Sequence, residues 1–226
     1  KFHALIWPGM LLALKLPLPK TIFVHGFINV GGQKMSKSLG NVVDPFALVE
    51  KYGSASSPQV GTDAVRYFLL RELPSSEDGD FTYAKFEERY NSDLARGIGN
   101  LVSRVLALAS KFKISAKKIV SLAIKKEIDR TKRNYKKALE EFKFNEALIA
   151  VWNLISFCDR YIDKEKPWSF VSAQDKQEKK EVIANLLFLI SEIAKLLEPF
   201  LPETSERIFS QLKTKKSTPL FPRLDK

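Results

Sequence analysis

From residue 93 onward the chain repeats one pattern. In LARGIGNLVSRVLALASKF, apolar side chains fall at Leu94, Ile98, Leu101, Val105, Leu108 and Phe112, alternating spacings of four and three. That period lines one face of an α-helix. Similar stripes run over 121–142, 144–163 and 175–197, and a shorter helix is expected at 203–212. Asn145 is placed to cap the helix over 144–163, and Pro199 and Pro202 bracket the break before the last one. Antiparallel helices joined by short loops make a bundle.

Upstream the pattern is mixed. FHALIWPGMLLAL is helix-like, whereas TIFVHGF has the β-branched and aromatic content of a strand, and NVGG supplies a turn after it. Asp44 can cap a helix that has Pro45 at its first position and Gly53 beyond its end. SASSPQVG reads as a loop, and Thr62 or Asp63 as the start of DAVRYFLLREL. PSSEDGD is a second loop, and Thr82 opens YAKFEERY. The expected architecture is an α/β remnant, a small mixed connector, then a helical bundle.

Composition narrows the chemistry. Of 226 residues 45% are apolar, which suits a packed globular chain, and no apolar run reaches a membrane span. Cys158 is the one cysteine, and His3 and His25 are the two histidines. An internal disulfide is excluded, and a zinc site built from Cys and His alone lacks ligands. No G-x-S-x-G elbow accompanies the histidines, so chemistry here rests on placed charge. The net charge is +11, which favours a polyanionic partner. Residues 117–143 hold ten Lys or Arg against four acids, a local +6 that serves either a solvated helix face or a nucleic-acid contact.

The most concentrated signal is GGQKMSKSLGN at 31–41, two lysines and two serines between glycines. Glycine lets a loop move, and lysine carries an ammonium on a long stem, so the stretch suits a mobile arm reaching a polyphosphate. Lys34-Met35-Ser36-Lys37-Ser38 resembles the signature loop of class I aminoacyl-tRNA synthetases. Its flanks FHALIWPGMLLALKLPLP, VHGF, YFLLRE and DGDF, with SDLARGIGNLVSR, RYIDKEKPW and PLFPRLD further on, are similar in order and spacing to the methionyl-tRNA synthetase family. The resemblance covers nearly the whole chain.

It implies four parts: the end of a Rossmann-like nucleotide-binding domain (1–26), a stem-contact-like connector carrying the loop (27–92), an α-helical anticodon-binding domain (93–213) and a tail (214–226). The implied activity is that of a cytoplasmic methionine–tRNA ligase with no membrane partner. It would activate L-methionine with ATP and Mg2+ and transfer it to tRNA(Met). Lys37, assisted by Lys34, would steady the phosphates; Met35, Ser36, Ser38, His25 and Gly26 would complete the ATP site. Phe2, His3 and Trp7 would line the methionine pocket, and Asn100, Arg104 and Trp168 would read the anticodon. No metal ligand is implied in this chain.

Two departures stand out. SASSPQVGT at 54–62 is an insertion relative to the family pattern, tolerable because loop closure costs little per added residue. The family's His-Ile-Gly-His element and its inserted domain are not in these 226 residues. The chain is therefore expected to be a piece of a longer protein and inert alone in adenylate formation. Two rival readings are a class I synthetase for isoleucine, valine, leucine or cysteine, and a non-catalytic tRNA-binding module with a relic loop.

Overall fold

A computed structural model describes residues 1–53, 59–114, 121–169 and 172–224. A π-type turn at Phe2–Ile6 leads into α1 (Trp7–Ala13), which buries none of its side chains. Phe2, Leu5, Trp7, Met10 and Leu12 all face outward. The chain then runs without regular structure to β1 (Ile28–Val30). The strand expected over TIFVHGF thus begins only after it. A strand needs a neighbour for its backbone groups, and the ladder partners in β2 (Gln33–Lys34) and β3 (Gly79–Phe81) meet residues 28–30 alone.

The sheet order is β2-β1-β3, with β2 antiparallel and β3 parallel to β1. Gly31 and Gly32 join β1 to β2 with φ of +60° and +76°, the two-residue hairpin turn that needs left-handed backbone at both positions. Asn29 and Val30, expected in the turn, are the last residues of β1.

Helix α2 (Pro45–Tyr52) starts as expected, the Asp44 carboxylate accepting from the Phe46 N–H at 2.9 Å. Helix α3 (Gln59–Glu72) begins before Thr62 and Asp63. Asp63 is fully buried, and its carboxylate accepts from both the N–H and the hydroxyl of Thr204, at 2.7 and 2.6 Å. It therefore caps α9 (Pro202–Thr214) instead of α3. Residues 54–58 of the insertion lie outside the described residues, as do Lys117 and Lys118 of the basic stretch.

Thr82 caps α4 (Tyr83–Arg89), which widens into a π-type segment over Tyr90–Gly99 and narrows again as α5 (Asn100–Phe112). The bundle continues with α6 (Leu122–Glu140), α7 (Phe144–Glu165) and α8 (Ala173–Leu197). Asn145 caps nothing, because α7 already starts at Phe144 and the N-cap position is Lys143. Leu94, Ile98, Leu101 and Val105 are fully buried, so the stripe that predicted α5 is its core face.

One core joins connector and bundle. The Tyr67 ring of α3 packs at a tilt against Trp152 of α7, centroids 4.6 Å apart, and its hydroxyl donates to Asp93 at 2.7 Å. The Arg66 guanidinium donates to the Pro199 and Phe200 carbonyls, both at 2.8 Å, where α8 ends. The tail packs back on the π-type segment, Phe221 meeting Tyr90 edge-on at 5.8 Å. Burial pushes the Tyr90 hydroxyl up to about 12, although the nearby Arg207 charge opposes this. Three helices end on a lysine in the left-handed region: Lys113, Lys166 and Lys215.

Candidate nucleotide loop and nucleic-acid interface

The lysine loop is rooted at both ends. At its base the Gly32 N–H donates to the Asp80 carboxylate on β3 at 2.7 Å, which ties the hairpin to the sheet. Further along, the Asn41 side chain bridges the loop. Its carbonyl accepts from the Ser36 N–H at 2.8 Å, and its amide donates to the Lys34 carbonyl at 3.2 Å. Met35, between those two bonds, is half-buried. It lines an apolar cavity of about 230 Å³ with Ile28, Val43, Leu48 and Phe68. Lys37–Leu39 form a single 3₁₀ turn, and the Ser36 and Ser38 hydroxyls share a hydrogen bond at 2.8 Å.

This anchoring leaves both ammonium groups outside. Lys34 and Lys37 are exposed, and the Lys34 Nζ rests 4.3 Å from the centre of the Phe27 ring. Two cations on an anchored but open turn can meet a polyphosphate without first breaking a buried ion pair.

His25 and Gly26 sit just before β1. The His25 ring N–H donates from Nδ1 to the Gly26 carbonyl at 2.8 Å. A Cβ on Gly26 would come within 1.9 Å of the Glu77 carbonyl oxygen, so this position requires glycine for the approach of two backbones. The adjacent Phe27 N–H donates to Asp78 at 2.7 Å. The two residues open onto a cavity of about 240 Å³ that Leu73, Glu77 and Phe144 also line. Phe2, His3 and Trp7 do come together, with Ile6 and Met10, in an open groove of about 440 Å³. That groove shares no lining residue with the loop.

In the bundle, Asn100 and Arg104 lie one turn apart in the first turns of α5, both half-exposed. The guanidinium reaches across to α7, 3.7 Å from Asp159 and 3.4 Å from Asp163. Burial raises the Asp159 carboxyl above its usual range, the Arg104 charge opposing and the Asp163 charge adding to the rise. Just past α7 the left-handed Lys166 turns the chain, Pro167 is buried, and Trp168 is left 46% exposed. A guanidinium held against Asp163 and, five residues beyond that aspartate, an open indole face thus lie toward the C-terminal end of α7, with the Asn100 amide one turn back along α5; these are group types that hold splayed-out bases.

Residues 1–106 match the family described as tRNA synthetases class I (M), and residues 122–226 match the anticodon-binding domain of tRNA ligase. The methionine–tRNA ligase of Bacillus subtilis (strain 168) is 38% identical over the whole of this chain. The chain is thus similar over nearly its whole length to methionyl-tRNA synthetases. A second relative, from Caldanaerobacter subterraneus subsp. tengcongensis, is 40% identical over 94% of the chain. The chain spans 37% of the first relative's length and 33% of the second's. Among solved structures, Mycobacterium tuberculosis methionyl-tRNA synthetase in complex with methionyl-adenylate superimposes with a TM-score of 0.85 at 29% identity. That match covers 98% of this chain and 48% of the other.

Several contributors to these sites had no sequence signal strong enough to single them out. Asn41 follows the loop in KSLGN, and Asp78 and Asp80 sit in a segment read as loop. Asp159 and Asp163 lie on a different helix from the arginine they hold. Among the described residues no group of three or more His, Cys, Asp or Glu could hold a metal, and no helix is long and apolar enough to cross a membrane.

Proposed function

We propose that the intact protein is a methionine–tRNA ligase. In this reading the present chain supplies the loop that steadies ATP and the bundle that grips the anticodon of tRNA(Met). The observation that carries the proposal is the pairing, in one chain similar throughout to methionine–tRNA ligases, of an anchored two-lysine loop with an Arg–Trp bundle end.

The methionine carboxylate attacks the α-phosphorus of ATP, the bond to the β-phosphate oxygen breaks, and pyrophosphate leaves. No protein nucleophile is required, so positioning and cationic stabilisation of the leaving group do the work. ATP enters with Mg2+ as substrate. Lys37, on its turn over the Asn41 bridge, meets the charge that builds on the leaving phosphates. Lys34 moves off the Phe27 ring to assist. Met35 seats the loop, Ser36 and Ser38 hold its turn, and His25 and Gly26 form its flank. Phe2, His3 and Trp7 line the pocket for the thioether side chain. Asn100 and Arg104 offer paired hydrogen-bonding groups to base edges, and Trp168 stacks on one base.

The test uses the intact protein, aminoacylation being measured with each amino acid and adenylate formation by pyrophosphate exchange. Methionine alone should be charged, and Lys37→Ala should slow exchange by about 10²–10³-fold while leaving methionine binding nearly unchanged. Charging of isoleucine, valine, leucine or cysteine, or exchange insensitive to Lys37→Ala, overturns the assignment.

A further inference from the structure

Helix α6 carries a charge pattern that neither the loop nor the bundle end uses. Its core face is Ile124, Ile128, Thr131, Tyr135 and Ala138. Its outer face exposes seven Lys or Arg against Asp129 and Glu140, a net +5. Four of the cations, Lys126, Arg130, Arg133 and Lys137, repeat at +4, +3 and +4. They therefore form one stripe about 16 Å long at 1.5 Å per residue.

The stripe is not neutralised from within. Arg130 pairs with Glu127 at 2.5 Å, and beside the stripe Lys132 pairs with the buried Glu192 and Lys136 with Glu140. Among the described residues Lys126, Arg133 and Lys137 form no ion pair, Lys137 lying only in the longer-range field of Glu141. At one-turn spacing the like-charge pairs 126/130, 132/136 and 133/137 are matched by the opposite-charge pairs 125/129, 129/133 and 136/140. What is left over is the net +5 of the exposed face, which a polyanion neutralises.

Its placement fits an extended partner. The three-residue turn 141–143 makes α6 antiparallel to α7, against which it packs along its length. The Lys126 end therefore lies beside the α7 terminus that leads into Trp168. The Lys137 end lies beside Phe144, whose N–H bonds to Ser75 of the connector and whose ring meets Phe23, two residues before His25. At that end Lys137, Lys143, Asn134 and Asn153, together with the carboxylates of Glu141 and Glu146, line a mixed groove of about 310 Å³ between the two helices. The cations thus run lengthwise from the bundle end toward the connector.

We propose that this face of α6 is a sequence-independent contact for RNA phosphates, along which the limb of the bound tRNA lies. The proposal rests on the reading of the chain as tRNA-binding and adds to it a second surface. Phosphate contacts fix register and orientation without carrying sequence information, so this surface strengthens binding of any tRNA while the bundle end selects.

The experiment measures equilibrium binding of tRNA(Met) and of a non-cognate tRNA to the intact protein over a series of salt concentrations. The variant is Lys126→Gln/Arg133→Gln/Lys137→Gln, since glutamine keeps helix propensity. Each lost phosphate contact removes about 0.7–0.9 from the slope of log K against log salt, so the triple variant should flatten it by roughly 2–3. Affinity should fall by the same factor for both tRNAs. The single variants Lys126→Gln and Arg133→Gln should each flatten the slope by about a third of that, which keeps the test valid should the triple variant lose helix. Trp168→Ala should weaken tRNA(Met) binding with the slope unchanged. A slope unmoved by the stripe variants overturns the proposal and leaves an acidic protein surface as the partner of this face. A flattened slope in a protein that does not prefer tRNA(Met) sustains the phosphate contact and sinks the methionine-specific reading instead.

Discussion

Asn41 uses both ends of its carboxamide to hold the peptide units on either side of Met35, while the two lysines stay outside. Two such bonds, worth about 1 kcal/mol each, set how often the turn opens. Asn41→Ala should therefore raise the open population by roughly ten- to thirty-fold. Limited trypsin digestion checks this, because cleavage after Lys34 and Lys37 needs an open backbone; an unchanged cleavage rate would deny Asn41 that role. The glycines and lysines of 31–40 were legible in sequence because their meaning is local: a turn, a charge, a long stem. Asn41 was not, since an asparagine after a glycine signals only a turn until the geometry shows which groups it reaches. Arg104 is the same case at longer range, its partner Asp163 lying 59 residues away on another helix.

Helices with a continuous apolar stripe were legible almost to their ends, because one buried face dictates the period regardless of neighbours. The weak points were elements whose boundaries depend on a partner. TIFVHGF has strand composition, yet its backbone finds no ladder before Ile28. Asp63 has the residue type of a helix cap and does cap a helix, but one that begins 139 residues later, at Pro202. Removing that cap with Asp63→Ala should cost about 1–2 kcal/mol in chemical denaturation, whereas Asp63→Asn keeps an acceptor for the Thr204 N–H and should stay close to the parent. Burial holds the Asp63 carboxyl above its usual 3.8, against the lowering effect of the Thr204 hydrogen bonds and the Arg66 charge. The folded state thus binds this proton more tightly than the unfolded state. Its contribution to stability falls as pH rises from about 4 through the raised value. That slope should be present in the parent protein and absent from Asp63→Asn.

Across the whole molecule the connector and bundle act as one packed body. The α8 terminus, the α9 cap and the tail all fasten to residues before 100, through Arg66, Asp63 and Tyr90. The order of the helices was legible in sequence because each carries its own apolar stripe. This fastening was not, being made of single polar contacts between distant segments. The three lysines at helix ends carry a consequence for thermal endurance. A side chain in left-handed backbone costs roughly 1 kcal/mol that glycine avoids. Lys113→Gly, Lys166→Gly and Lys215→Gly should each lift the melting temperature by about 2–4 °C in differential scanning calorimetry. Lys166→Gly also tells whether the bend before Trp168 depends on that residue's side chain, since a glycine there preserves the bend and so the exposure of the indole to a fluorescence quencher.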